Sequence, residues 1–122
     1  MPKLTTIADP HPKKPKLKAP PNACDTHIHL FGPAAKYPFA PDSPYHAHEA
    51  SPETFIELQN TLGLSTGVIV SPGGYGRNYA MLADTLAKYP KRFRGIALVR
   101  DDIATAELAR LTRLGRGYHR ER

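Results

Sequence analysis

Two hydrophobic rhythms run through the middle of the chain. Residues 23–30, Ala-Cys-Asp-Thr-His-Ile-His-Leu, alternate with a period of two, Thr26, Ile28 and Leu30 against Asp25, His27 and His29. That period predicts a short strand with both histidines on one side. Val68-Ile69-Val70 is a continuous apolar run, as a strand covered on both faces should be. Arg94 to Val99 reads as a third strand. Between and after these, the spacing becomes helical. Ser51 is a natural N-cap, Pro52 fits the first helical position, and Phe55, Leu58 and Leu62 share one face before Gly63. A second helix is predicted over 78–89, with Leu82, Leu86 and Tyr89 on one side. A third is predicted over 105–114, with Leu108, Leu111 and Leu114 spaced alike.

The order is strand, helix, strand, helix, strand, helix, which predicts an α/β fold with a parallel sheet and crossover helices. A barrel and a doubly wound sheet both satisfy it. Around this stretch the pattern fails twice. Residues 1–21 carry prolines among lysines and predict a flexible, basic leader. Residues 31–50 hold Gly32, Pro33, Pro38, Pro41 and Pro44 and predict a long loop, of the kind that tends to be functional. Residues 116–122 contain no apolar run. They predict no fourth strand and read as an aberrant tail, the mark of a frameshift, a premature stop or a gene-model error.

Composition changes this picture little. The 122 residues suffice for one small domain, and 40% hydrophobic with 23% charged residues is ordinary for a globular chain. Most of the 13 prolines precede residue 45, in keeping with an extended first third. The net charge of +6 lies in separate clusters near the two termini, without interleaved aromatics, so a solvated surface is expected rather than a nucleic-acid partner. Cys24 is the only cysteine, which precludes an intramolecular disulfide, and it is expected to pack beside the first strand. With no apolar run near 18 residues, no Sec-type apolar segment and no twin arginine, no membrane association is expected, and the cytoplasm is the expected compartment.

The candidate chemistry centres on His27 and His29. Two imidazoles at i and i+2 on a strand can share one cation, although zinc asks for three or four ligands in all. Asp25 could orient an imidazole, or simply accept backbone N–H groups at the strand entry. His46 and His48 repeat the spacing in the long loop, where no regular element is expected to hold them. Ser71 to Arg77 carries three glycines and an arginine, and reads first as an ordinary turn and second as a substrate-facing loop.

Cys24-Asp-Thr-His-Ile-His-Leu-Phe-Gly-Pro33 resembles the opening of the amidohydrolase-related metal-dependent hydrolases. It is most similar to the branch containing 2-pyrone-4,6-dicarboxylate lactonase. Tyr37-Pro-Phe-Ala-Pro, Tyr45, Leu62-Gly63, Val68-Ile-Val, Tyr75-Gly76 and Arg92-Phe-Arg-Gly-Ile-Ala follow in the same order. The resemblance covers about residues 20–115. It implies the N-terminal three strand–helix units of a TIM-like (β/α)8 barrel, within a partial barrel over 22–115. It also implies a hydrolase acting on a small lactone or carboxylic acid. His27 and His29 would then be the first-strand histidines. They bind a divalent metal, zinc or manganese, in most members and face substrate in the lactonase branch, which works without a required metal. Tyr45 matches a tyrosine that contacts substrate there. Ser71 and Gly73 depart from the glutamine and serine common in relatives, and the later histidines and last-strand aspartate are absent from the sequence. A full barrel takes about 250 residues. The expected chain is therefore inactive alone. The competing expectation is a small α/β binding or interaction module without catalysis.

Overall fold

The structure, a computed structural model, describes residues 2–114 with their side chains and 117–120 by backbone alone. Its elements in chain order are β1 (Lys3–Leu4), β2 (Cys24–Ile28), β3 (Tyr45–His46), α1 (Pro52–Leu62), β4 (Thr66–Val70), α2 (Ala80–Lys88), β5 (Phe93–Val99), α3 (Thr105–Arg113) and β6 (Gly117–Arg120).

Four strands form one wholly parallel sheet in the order β2-β4-β5-β6. Strand order equals chain order because each helix carries the chain across one face to the next parallel position. β6 corrects the expectation of no fourth strand. Gly117–Arg120 pairs in parallel with Ile96–Val99. A strand at a sheet's end can be held by ladder hydrogen bonds on one side, so it does not need the apolar run that a two-sided burial would demand.

The local signals behave as chain physics requires. Ser51 is extended, and its Oγ accepts the N–H of Thr54 at 3.2 Å. Pro52 opens the helix, and Gly63 closes it in the left-handed conformation at φ 78°. β2 begins after Asn22, which also holds a positive φ of 63°, within the tolerance of a short polar side chain. The predicted second helix is shorter at both ends. Asn78 instead caps the approach, its Oδ1 accepting the N–H of Ala80 at 3.0 Å.

Alternation in β4 and β5 sorts the sheet into two faces. Gly67, Ile69, Phe93, Gly95, Ala97 and Val99 are buried beneath the helices. Phe93, 1% exposed, packs against Phe55 of α1 and Tyr89 beyond α2. Val68, Val70, Ile96 and Leu98 point the other way and are only half-buried. Ser43, Gln59, Ser71 and Thr85 break the apolar pattern, and Gln59 is the largest of them. Gln59 of α1 is fully buried, donating to the Thr66 carbonyl at 2.8 Å and accepting from Arg92 Nε at 2.9 Å.

The leader is exposed along most of its length but follows a defined course. Lys3–Leu4 pairs in parallel with Tyr45–His46, and Thr5 N–H donates to the His46 carbonyl at 2.9 Å. Tyr45 and His46 therefore do belong to a regular element, β3, contrary to the expectation for that loop. Cys24 is exposed rather than packed, because it lies on the end strand of the sheet.

Candidate active site at the end of the first sheet strand

β2 ends at Ile28, and Ile28 and Leu30 turn into the core. Alternation then sends His27 and His29 to the opposite side, where both are exposed. Their rings sit edge to face with centroids 5.1 Å apart. His29 Nδ1 lies 2.9 Å from the carbonyl oxygen of Val70, the last residue of β4. A carbonyl only accepts, so Nδ1 carries the proton and Nε2 keeps the lone pair that a cation or an acid proton needs. Asp25 resolves toward the simpler alternative. Its Oδ1 accepts the backbone N–H of His27 at 3.1 Å, which fixes the backbone at the histidines.

Tyr45 belongs to a neighbouring aromatic wall built from the long loop and the turn after β4. Phe39 stacks on His46 at 4.7 Å and on Tyr75 at 5.3 Å, and Phe31 lies 6.4 Å from Tyr45. The wall is pinned by backbone donors. Gly74 N–H donates to the Tyr45 hydroxyl at 2.9 Å, and Gly32 N–H donates to the Tyr75 hydroxyl at 3.1 Å. Burial raises the Tyr75 phenol above its ordinary pKa, so it stays neutral. The Tyr45 oxygen, accepting from Gly74, still has its own proton to donate. Gly74 must be glycine for this contact, because a Cβ there would stand 2.9 Å from the Tyr45 ring.

The segment from Ser71 to Arg77 is thus a turn clamped to the long loop, with Ala40 N–H donating to the Gly74 carbonyl at 2.8 Å. Arg77 pairs with Asp102 at 3.2 Å. His46, in the stack with Phe39, and His48, whose N–H donates to Thr5 Oγ1 at 3.3 Å, stand with β3. The aromatic wall was hidden in the sequence. Its one local signal was Tyr37-Pro-Phe-Ala-Pro, whose prolines bias Tyr37 and Ala40 on either side of Phe39 toward extended backbone.

Residues 24–118 match the amidohydrolase family. The chain belongs to that family. Among its relatives, 2-pyrone-4,6-dicarboxylate hydrolase of Comamonas testosteroni is 35% identical over 101 residues, 83% of this chain and 33% of that protein. The 4-sulfomuconolactone hydrolase of Hydrogenophaga intermedia is 30% identical over 96 residues, 79% of this chain and 32% of its own. A crystal structure from Acinetobacter baumannii is described as a probable 2-pyrone-4,6-dicarboxylic acid hydrolase with citric acid bound. It aligns with a TM-score of 0.72 at 29% identity, over 80% of this chain and 36% of that one. An apo structure from Agrobacterium tumefaciens aligns at 0.78 with 20% identity, over 91% and 39% of the two chains, and speaks for the fold alone. The chain therefore spans about a third of the length of the curated relatives it matches. It carries part of the TIM-type barrel of this amidohydrolase family.

The family's divalent metal finds a partial fit. His29 Nε2 is free, and its partner nitrogen is fixed by a carbonyl, the arrangement in which imidazole ligates best. His27 stands beside it. Among the described residues, no group of three or more His, Cys, Asp or Glu side chains could hold a metal. The described residues offer two donors toward a site that needs more.

Proposed function

We propose that this chain supplies the first-strand half of the active site of a hydrolase acting on small lactones or carboxylic acids, of the 2-pyrone-4,6-dicarboxylate type. His27 and His29 are its contact residues for metal or substrate, and Tyr45 is its hydroxyl donor to a substrate carboxylate. The observation that carries this reading is the His29 ring. It is held by Val70 across the strand ends, with its second nitrogen open to solvent.

The chemistry follows from the donors. Lactone opening needs an attacking water and stabilisation of the oxygen that becomes negative. A divalent metal, when bound at the histidines, would polarise the carbonyl and lower the pKa of water. Without metal, the same imidazoles hydrogen-bond substrate oxygens, and the Tyr45 O–H anchors an anionic group beside the aromatic wall. What the described residues lack is a base aimed at the pair, since Asp25 is engaged with backbone. The chain alone is therefore expected to be inactive.

The test is a segment exchange. Residues 24–114 would replace the aligned segment of the Comamonas relative, with 2-pyrone-4,6-dicarboxylate as substrate. Turnover that is lost in His29→Ala and lowered in Tyr45→Phe is expected. A folded hybrid without substrate binding would overturn the reading, and so would turnover by the 122-residue chain alone.

A further inference from the structure

The alternation that sets His27 and His29 on one side of the chain continues past the end of β2. Ile28 and Leu30 turn into the core, and Phe31 follows the histidines to the opposite side. Two residues of extended chain put its Cα about 7 Å from that of His29. The backbone fixes it there. Phe31 N–H donates to the Ala50 carbonyl at 3.0 Å, and Ala50 N–H donates to the Phe31 carbonyl at 2.7 Å. With both backbone groups engaged, the chain cannot roll to carry this ring away from the histidines. The rings of the aromatic wall are of two kinds. Phe39 is already stacked, at 13° to His46 and 21° to Tyr75. Phe31 is tilted by 32° to Phe39 and 49° to Tyr75, and stands at 86° to Tyr45. Among the described residues, none of its ring neighbours lies flat against it. Phe31 and Tyr45 thus form a right-angled corner, 6.4 Å between centroids. It presents one aromatic face and, since Tyr45 accepts from Gly74, one phenol proton still to be donated.

From this corner we propose that Phe31 is a specificity residue, which selects a flat, conjugated ring bearing a carboxylate. The ring stacks on Phe31, and its carboxylate accepts the Tyr45 O–H. His29, on the same side of the chain, meets an oxygen of the ring. Apolar contact alone has no direction and holds flat and puckered rings alike. Offset stacking does have direction, and only a flat π-system can enter it. One such contact corresponds to about threefold to tenfold in affinity. The choice of site and of a carboxylate ligand rests on the proposed hydrolase reading. Ring recognition itself is a binding event and is read without turnover.

Two dicarboxylates of equal charge and similar outline separate stacking from charge. Benzene-1,3-dicarboxylate is flat, and cis-cyclohexane-1,3-dicarboxylate is puckered. Each would be titrated into the isotopically labelled full chain at pH 7 and followed by nuclear magnetic resonance. The flat acid should bind about threefold to tenfold more tightly. Its ring protons should show cross-relaxation with those of Phe31. Phe31→Leu should weaken the flat acid to the level of the puckered one and leave the puckered one unchanged. Tyr45→Phe should weaken both alike. Where Phe31→Leu loses its dichroism spectrum, the cross-relaxation in the parent chain decides alone. Equal affinity for the two acids overturns the proposal. So does the failure of either to bind at millimolar concentration, or a bound ring that makes no contact with Phe31. The hybrid with the Comamonas relative keeps the two readings apart. Turnover by the hybrid, with no flat-ring preference in the full chain, overturns the ring contact alone. A folded hybrid that binds no pyrone dicarboxylate, with the preference intact in the full chain, overturns the hydrolysis and leaves the ring contact standing.

Discussion

His29 shows how one hydrogen bond assigns chemistry. Because the Val70 carbonyl can only accept, the neutral ring is the Nδ1–H tautomer. Nitrogen chemical shifts of labelled histidine should show Nε2 as the bare nitrogen of His29, and zinc should perturb that resonance first. A shift pattern typical of Nε2–H would contradict the geometry. Gly74 makes the complementary case through sterics. Gly74→Ala sets a Cβ 2.9 Å from the Tyr45 ring and must displace the ring or the turn. The expected cost is about 1–3 kcal/mol in denaturant unfolding. Tyr45→Phe removes only the hydrogen bond from Gly74 and should cost about 1 kcal/mol. Both histidines were legible in sequence, because a period of two shows which side chains travel together. The Gly74–Tyr45 contact was not, since nothing local links positions 29 residues apart.

Elements were legible where their signals are short-ranged. Ser51, Pro52 and Gly63 are each satisfied within a turn of the helix they bound, so α1 emerged with its limits intact. Ser51→Ala should destabilise the fold by about 1 kcal/mol, read in urea. Phe93 is the strand residue that ties α1 and α2 to the sheet, and Phe93→Ala should cost about 3–5 kcal/mol. For a domain of this size, that loss is a large part of total stability. Gln59 and β6 escaped the pattern for opposite reasons. Gln59 is polar but buried, because Thr66 and Arg92 satisfy it. β6 lacks apolar residues in a run, because its pairing is backbone to backbone. Glu53 and Lys88 join α1 to α2 by an exposed ion pair. The bond from Lys88 holds the Glu53 carboxyl below its ordinary pKa of 4.5, and the same bond raises Lys88 above 10.5. The carboxylate's contribution is thus present at neutral pH and fades as pH falls through the lowered value. The ammonium's contribution is present at neutral pH and fades only as pH rises beyond 10.5. Glu53→Gln should lower the melting temperature slightly at pH 7, with the difference from the parent vanishing once pH falls below the lowered value. A gap that does not shrink as pH falls from 7 into the acid range would mean Glu53 acts by packing.

At the scale of the molecule, the leader sets local hydrogen bonds against chain entropy. Lys3 N–H donates to the Pro44 carbonyl at 3.1 Å, Thr5 N–H to the His46 carbonyl at 2.9 Å, and His48 N–H to Thr5 Oγ1 at 3.3 Å. Each such exposed bond is worth about 1 kcal/mol at most. Ordering the leader's backbone costs roughly 1 kcal/mol for every residue fixed, though less where proline has already restricted φ. Leu4, Ile7 and Leu17 are 58%, 71% and 85% exposed, so little apolar burial offsets that cost. Low local stability is therefore the expectation for the course against β3. Amide exchange at Lys3 and Thr5 should be nearly as fast as in a free peptide, while Ile69 and Ala97 in the sheet exchange only by larger openings. Deleting residues 2–12 should leave the melting temperature within a few degrees of the parent. The cavity of about 530 Å³ between the leader's residues 8–12 and α1 would then become open surface beside His29. A large drop in melting temperature would show instead that the leader is part of the core's cover.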